Sequence, residues 1–133
     1  MKIKWLLMGI IAAAAMTLTA ACTHLPNDVA VSAADSGKQV EIVAKGTVTV
    51  TLDSNATTGY SWELTDISDT AVLQKTDSKY EAPNSGLVGA GGKEVWTFKT
   101  LKDGKATITM SYGQPWAGGQ KGARTFTLTV VSK

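Results

Sequence analysis

From Lys38 onward the chain is written in period two. Thr47-Val48-Thr49-Val50-Thr51-Leu52 alternates without a break, and Val48, Val50 and Leu52 fall on one side. An extended strand puts every second side chain on the same face, so this pattern demands β-structure. The alternation returns at Val40 and Ile42, at Tyr60, Trp62 and Leu64, at Trp96 and Phe98, from Ala106 to Tyr112 and from Thr125 to Val130. A more polar stretch, Val72 to Ala82, reads as a further strand. Threonine recurs on the outward positions, where a β-branched polar side chain suits a pleated surface. No convincing 3.6-residue period interrupts this pattern. About seven short strands with turns at regular intervals predict an all-β, antiparallel β-sandwich.

The segment before this domain is of another kind. Lys2 and Lys4 precede the apolar run Trp5 to Met16, and Leu18-Thr19-Ala20-Ala21-Cys22 follows. Charge, apolar stretch, then small residues is the layout of a secretory signal peptide over 1–21. A transmembrane anchor is the rival reading. It needs about 18 to 20 apolar residues, whereas Thr17 and Thr19 break this run early. The small residues before the lone Cys22 resemble the lipobox of bacterial lipoproteins, although Thr19 stands where Leu is typical. That resemblance implies cleavage after Ala21, diacylation of Cys22 and anchoring in the cell envelope. Thr23 follows the cysteine, and the Asp that signals inner-membrane retention is missing. In a Gram-negative host this favours the outer membrane. Residues 22–37 then form a lipidated, flexible tether, broken by Pro26 and Gly37, that holds His24. Residues 38–133 form the domain, expected to be a monomer.

Charge and reactive side chains exclude several functions. The precursor has 13 Lys+Arg and 11 Asp+Glu, a net charge of +2. Without Lys2 and Lys4 the two signs balance at 11 each. Nucleic-acid binding is therefore not expected. One Cys and one His build neither a disulfide, a zinc cluster nor a Ser-His-Asp triad. Asp and Glu are scattered, mostly on solvent faces. No phosphate loop, dinucleotide fingerprint or EF-hand spacing occurs. No cofactor, metal or catalytic residue is expected, and the chain is not read as an enzyme.

The loops carry the remaining information. Lys102-Asp103-Gly104-Lys105 is a tight turn. Three others are longer and unusual: 53–60, 83–92 and 113–122. Two strands separate the first from the second, and two separate the second from the third. Strands of an antiparallel sandwich alternate in direction, so all three loops converge at one end and the Asp103-Gly104 turn lies at the other.

In these loops the chain resembles the chagasin-like inhibitors of papain-family cysteine proteases. That family has Asn-Pro-Thr-Thr-Gly-Tyr, Gly-x-Gly-Gly and Arg-Pro-Trp in order. Here stand Asn55-Ala56-Thr57-Thr58-Gly59-Tyr60, Gly89-Ala90-Gly91-Gly92 and Gln114-Pro115-Trp116. The resemblance implies an immunoglobulin-like sandwich and a reversible, competitive inhibitor whose loops enter the protease cleft through these residues. It implies that the first loop wedges over the catalytic Cys and His, with the Thr57 and Thr58 hydroxyls bonding the cleft walls. Gly91 and Gly92 would lie flat on the rim, or merely form a hairpin tip. Ala56 in place of Pro removes a fixed φ, and Gln114 in place of Arg removes a positive fork. Trp116, in a loop flanked by Gly and Pro, is either an interface anchor or a cap folded over the sandwich end. Arg124 either replaces the missing family Arg or pairs with an exposed acid. The competing functions are an envelope module that grips a carbohydrate or surface protein, and a structural lipoprotein subunit.

Overall fold

A computed structural model describes residues 24–83 and 91–133. The signal-peptide segment 1–21, Cys22, Gly89 and Ala90 lie outside the described residues. Eight strands form two four-stranded sheets. They are β1 (Asp28–Ser32), β2 (Lys38–Ile42), β3 (Thr47–Ser54), β4 (Ser61–Ile67), β5 (Leu73–Glu81), β6 (Gly92–Thr100), β7 (Gly104–Gly113) and β8 (Arg124–Ser132). One sheet runs β1-β3-β6-β5 and the other β2-β8-β7-β4.

The alternating residues build the core. Val48, Val50 and Leu52 of β3 face Ile108 and Met110 of β7 and Phe126, Leu128 and Val130 of β8 in one buried cluster, with Trp62, Trp96 and Phe98. The threonines between them stay partly exposed. Burying a side chain of this size stabilises by roughly 1.5–3 kcal/mol, so this cluster dominates the fold.

Two expectations need correction. Residues 28–32, read as tether, form β1. Val31 turns inward at 6% exposure, and β1 follows β3 in parallel from Asp28↔Thr47 to Ser32↔Thr51. The five-residue Asp-Val-Ala-Val-Ser alternation is real but too short to stand out beside Pro26. The sandwich is also not wholly antiparallel, because β2 pairs with β8 in parallel as well. Each sheet thus consists of antiparallel strands with one parallel edge.

The register fixes the two ends. Ser54↔Gly92, Glu81↔Lys93, Ser61↔Gly113 and Tyr112↔Arg124 all lie at one end. Gly104↔Ser132 and Leu73↔Thr100 lie at the other. The chain enters β1 at this second end, where Thr47 N donates to Asn27 O at 2.8 Å. There the fully buried Thr100 closes the fold. Its Oγ1 accepts from Gly46 N and donates to Val43 O, each at 2.8 Å. Thr100→Val preserves shape and removes both bonds. It should cost about 1–3 kcal/mol, seen in calorimetry as a melting temperature lower by on the order of 10 °C.

Candidate functional site

The first loop is a braced turn. After Ser54 the chain enters a short 3-10 helix, Ala56–Thr58, capped by Asn55. The Asn55 side chain accepts from Thr57 N at 3.1 Å and from Thr57 Oγ1 at 2.6 Å. Thr58 Oγ1 donates to Asn55 O at 2.7 Å. Both hydroxyl protons expected to reach a partner's cleft are therefore held inside the loop. Asparagine caps this way because its short amide oxygen reaches the orphan N–H groups of a starting helix. The cap supplies rigidity that Ala56 does not.

Gly59 ends the turn in the left-handed region, with φ of 77°. A side chain there would be strained. It would also strike the Trp116 ring, which lies on the bare Gly59 backbone. Tyr60 Oη donates to Gln120 Oε1 of the third loop. The first and third loops are thus joined by a ring on a glycine and by a side-chain hydrogen bond.

The third loop is braced from within. Gln114 N donates to Gln120 O at 2.7 Å, and Gln114 Oε1 accepts from Gln120 N at 2.9 Å. The Lys121 ammonium donates to the carbonyl oxygens of Gln114 and Trp116. Gln114 is therefore a strut of the loop. Pro115 is exposed. Trp116 remains 50% exposed, so it does not fold into the sandwich as a cap. It is half-sheltered by Gly59 and presents the rest of its indole outward.

The second loop contributes Gly91 and Gly92 among the described residues. Gly91 is exposed at the start of β6. Gly92 is buried, and a methyl group there would meet Glu81 O and the Tyr80 ring. Gly92 is thus a close-approach residue inside the hairpin and does not lie open on a rim.

Tyr112, which sequence alone marks only as the inward end of a strand, holds these pieces together. Its ring is 5.4 Å from that of Tyr60 and 5.1 Å from that of Trp62. Its hydroxyl accepts from Asn55 N at 3.0 Å. Trp62 ties the two sheets at the same end. Its Nε1 donates to Asp53 O at 3.0 Å, and its backbone N donates to Glu94 Oε2 at 2.9 Å. The alternation that puts Tyr112 and Trp62 inward was the available signal; their partners were not visible in it.

The described residues of this end present an exposed indole beside small loop residues.

The known proteins agree with this picture. The family model described as "Chagasin family peptidase inhibitor I42" matches residues 41–130. Chagasin of Trypanosoma cruzi is 30% identical over 101 residues, which cover 74% of this chain and 92% of that protein. The crystal structure of the cysteine protease inhibitor EhICP2 from Entamoeba histolytica is similar in fold, with a TM-score of 0.68 and 22% identity. The match covers 80% of this chain and 95% of that one. The structure of PbICP-C in complex with falcipain-2 has a TM-score of 0.57 at 20% identity, covering 82% of this chain and 92% of that one. The chain belongs to the chagasin family of peptidase inhibitors.

Proposed function

We propose that this protein inhibits papain-family cysteine proteases reversibly and competitively, by seating loops 53–60, 83–92 and 113–122 in the active-site cleft. One observation carries the reading: Trp116 is half-exposed, lies on Gly59 of the first loop and is free of core duty. A large aromatic held out on a braced loop is the kind of residue that dominates interface energies. Bracing lowers the ordering cost of binding. The cysteine-protease inhibitor EhICP2 and the falcipain-2 partner of PbICP-C support the choice of target class. In this reading Asn55, Ala56, Thr57, Thr58, Gly59 and Tyr60 form the wedge. Gly91 flanks it with Gly89 and Ala90, and Gln114, Pro115 and Trp116 close the other side. Gly92 and Gln114 act through loop shape.

The protein is further read as a monomeric lipoprotein, carried across the inner membrane by residues 1–21 and anchored through Cys22. The end where β1 begins supports this. It is opposite the three loops, so an anchor just before it leaves them facing away from the membrane.

The test is stoichiometric inhibition of papain or a cathepsin by the purified protein, without cleavage of the inhibitor. No inhibition of any papain-family protease at micromolar protein would sink the proposal. Trp116→Ala should weaken inhibition by about 2 kcal/mol, roughly thirtyfold, with a nearly unchanged melting temperature. A melting shift as large as that of a core truncation would instead assign Trp116 to structure.

Gly59→Ala should destabilise the fold by about 1–2 kcal/mol, from the left-handed backbone alone. It should also displace the indole and weaken inhibition. Because the two residues touch, the double variant Gly59→Ala/Trp116→Ala should lose less inhibition than the two single losses added. Additive losses in the inhibition constants would refute the contact.

Cys22→Ala should abolish incorporation of labelled fatty acid and move the protein from the membrane to the soluble fraction. Unchanged membrane partition would exclude the lipid anchor.

A further inference from the structure

Arg124 is the first residue of β8 and pairs with Tyr112 in the ladder. Ala123 N donates to Tyr112 O at 2.9 Å, which fixes the backbone just before it. Its guanidinium carbon lies 5.7 Å from the centre of the Tyr112 ring. At this distance the guanidinium makes a cation–π contact with the ring, and its fork of N–H donors stays available to a partner. Arg124 is exposed, and among the described residues no carboxylate lies within ion-pair distance of it. The expected pairing with an exposed acid of its own chain is therefore not made.

Arg124 lines a cleft of about 310 Å³ with Tyr112, Ser54, Asn55, Gly91 and Gly92. Asp53, the acid in the same wall, makes no ion pair there among the described residues. One wall is thus the base of the first loop and another is the start of β6 beside the second. Gln114 lines a different cleft, with Ser61, Trp62 and Lys121. Arg124 therefore does not restore the positive fork at position 114. It places a positive fork in a separate cleft, beside the base of the first loop and the start of β6.

We propose that Arg124 is a specificity-determining residue, and that the cleft it lines with Ser54, Asn55, Gly91 and Gly92 takes an acidic side chain of the bound protease. The proposal rests on the inhibitor reading above. A carboxylate is the group that matches a guanidinium with free donors, through two parallel charge-assisted hydrogen bonds. Bound protease would cover the cleft and strengthen that pair by excluding water. Papain-family proteases that lack an acid at this place would be inhibited without help from Arg124.

The experiment compares the full chain with Arg124→Gln, Arg124→Lys, Arg124→Glu and Asp53→Asn. Inhibition constants and dissociation rates are measured against a panel of papain-family proteases. For at least one inhibited protease, Arg124→Gln should weaken inhibition about tenfold or more, through faster dissociation. Arg124→Glu should weaken it further, Arg124→Lys should retain part of it, and Asp53→Asn, which removes a like charge from the cleft wall, should improve it. If the wild type inhibits but all Arg124 variants match it within twofold across the panel, the arginine proposal falls alone. It falls likewise if only association rates change, which is long-range steering. If Asp53→Asn weakens inhibition as much as Arg124→Gln, the arginine serves an internal pair and the proposal is wrong. If the wild type inhibits no member, the inhibitor reading fails and this inference fails with it.

Discussion

The loop end depends on one buried phenol. Tyr112 lies within the core at 8% exposure, yet its hydroxyl reaches the surface and accepts the Asn55 backbone N–H. Asn55 caps the first loop, so the wedge is fastened to β7 by this hydrogen bond. Tyr60 and Trp62 pack on the same ring, and Arg124 lies over it. A buried tyrosine does this better than phenylalanine because it carries an apolar body and a polar tip. A loop end needs both at once, since it must join a dry core to a wet surface.

Much of this was legible in the sequence. The period-two runs placed six of the eight strands and their inward faces, because alternation is a direct image of burial on one face, while β5 was read only as a more polar strand and is exposed along nearly all its length. Strand parity brought three distant loops to one end, and the register agrees. What stayed hidden was pairing. The five residues of β1 have too little alternation to stand out, and their stability comes from β3 beside them. No local pattern in Lys38 to Ile42 announces that it joins β8 in parallel. The site shows the same division. Sequence supplied the residue types at Gly59 and Trp116, but the contact between them spans two loops and was unreadable. Gly92, taken for rim, is buried because Tyr80 and Glu81 approach it across the hairpin. A glycine needed for close approach and a glycine at a free tip look alike in one sequence.

The departures from the family motifs also take on physical meaning. A proline at position 56 would fix one φ. Here the Asn55 side chain bonds both Thr57 N and Thr57 Oγ1, which restricts the same turn by other means. At position 114 an arginine would offer a charge. Glutamine offers a donor and an acceptor, and the loop uses its acceptor on the backbone N–H of Gln120. In both places a group that could have faced a partner is turned to bracing.

That choice has an energetic consequence for any complex the end forms. A hydroxyl already bonded inside the loop gains little by bonding a partner, because one hydrogen bond is exchanged for another and the net is small. The loops' contribution to affinity therefore lies in two other terms. One is apolar burial, concentrated in the exposed half of the Trp116 ring. The other is the ordering entropy that does not have to be lost again, because Asn55, Gln114, Gln120 and Lys121 already hold the loops. A surface built this way binds many similar grooves through shape and distinguishes among them poorly. Discrimination must come from a group kept out of the bracing network, and a charge is suited to that role since its unpaired burial against the wrong partner is costly. Arg124, set beside the Tyr112 ring and paired with no carboxylate among the described residues, meets that requirement.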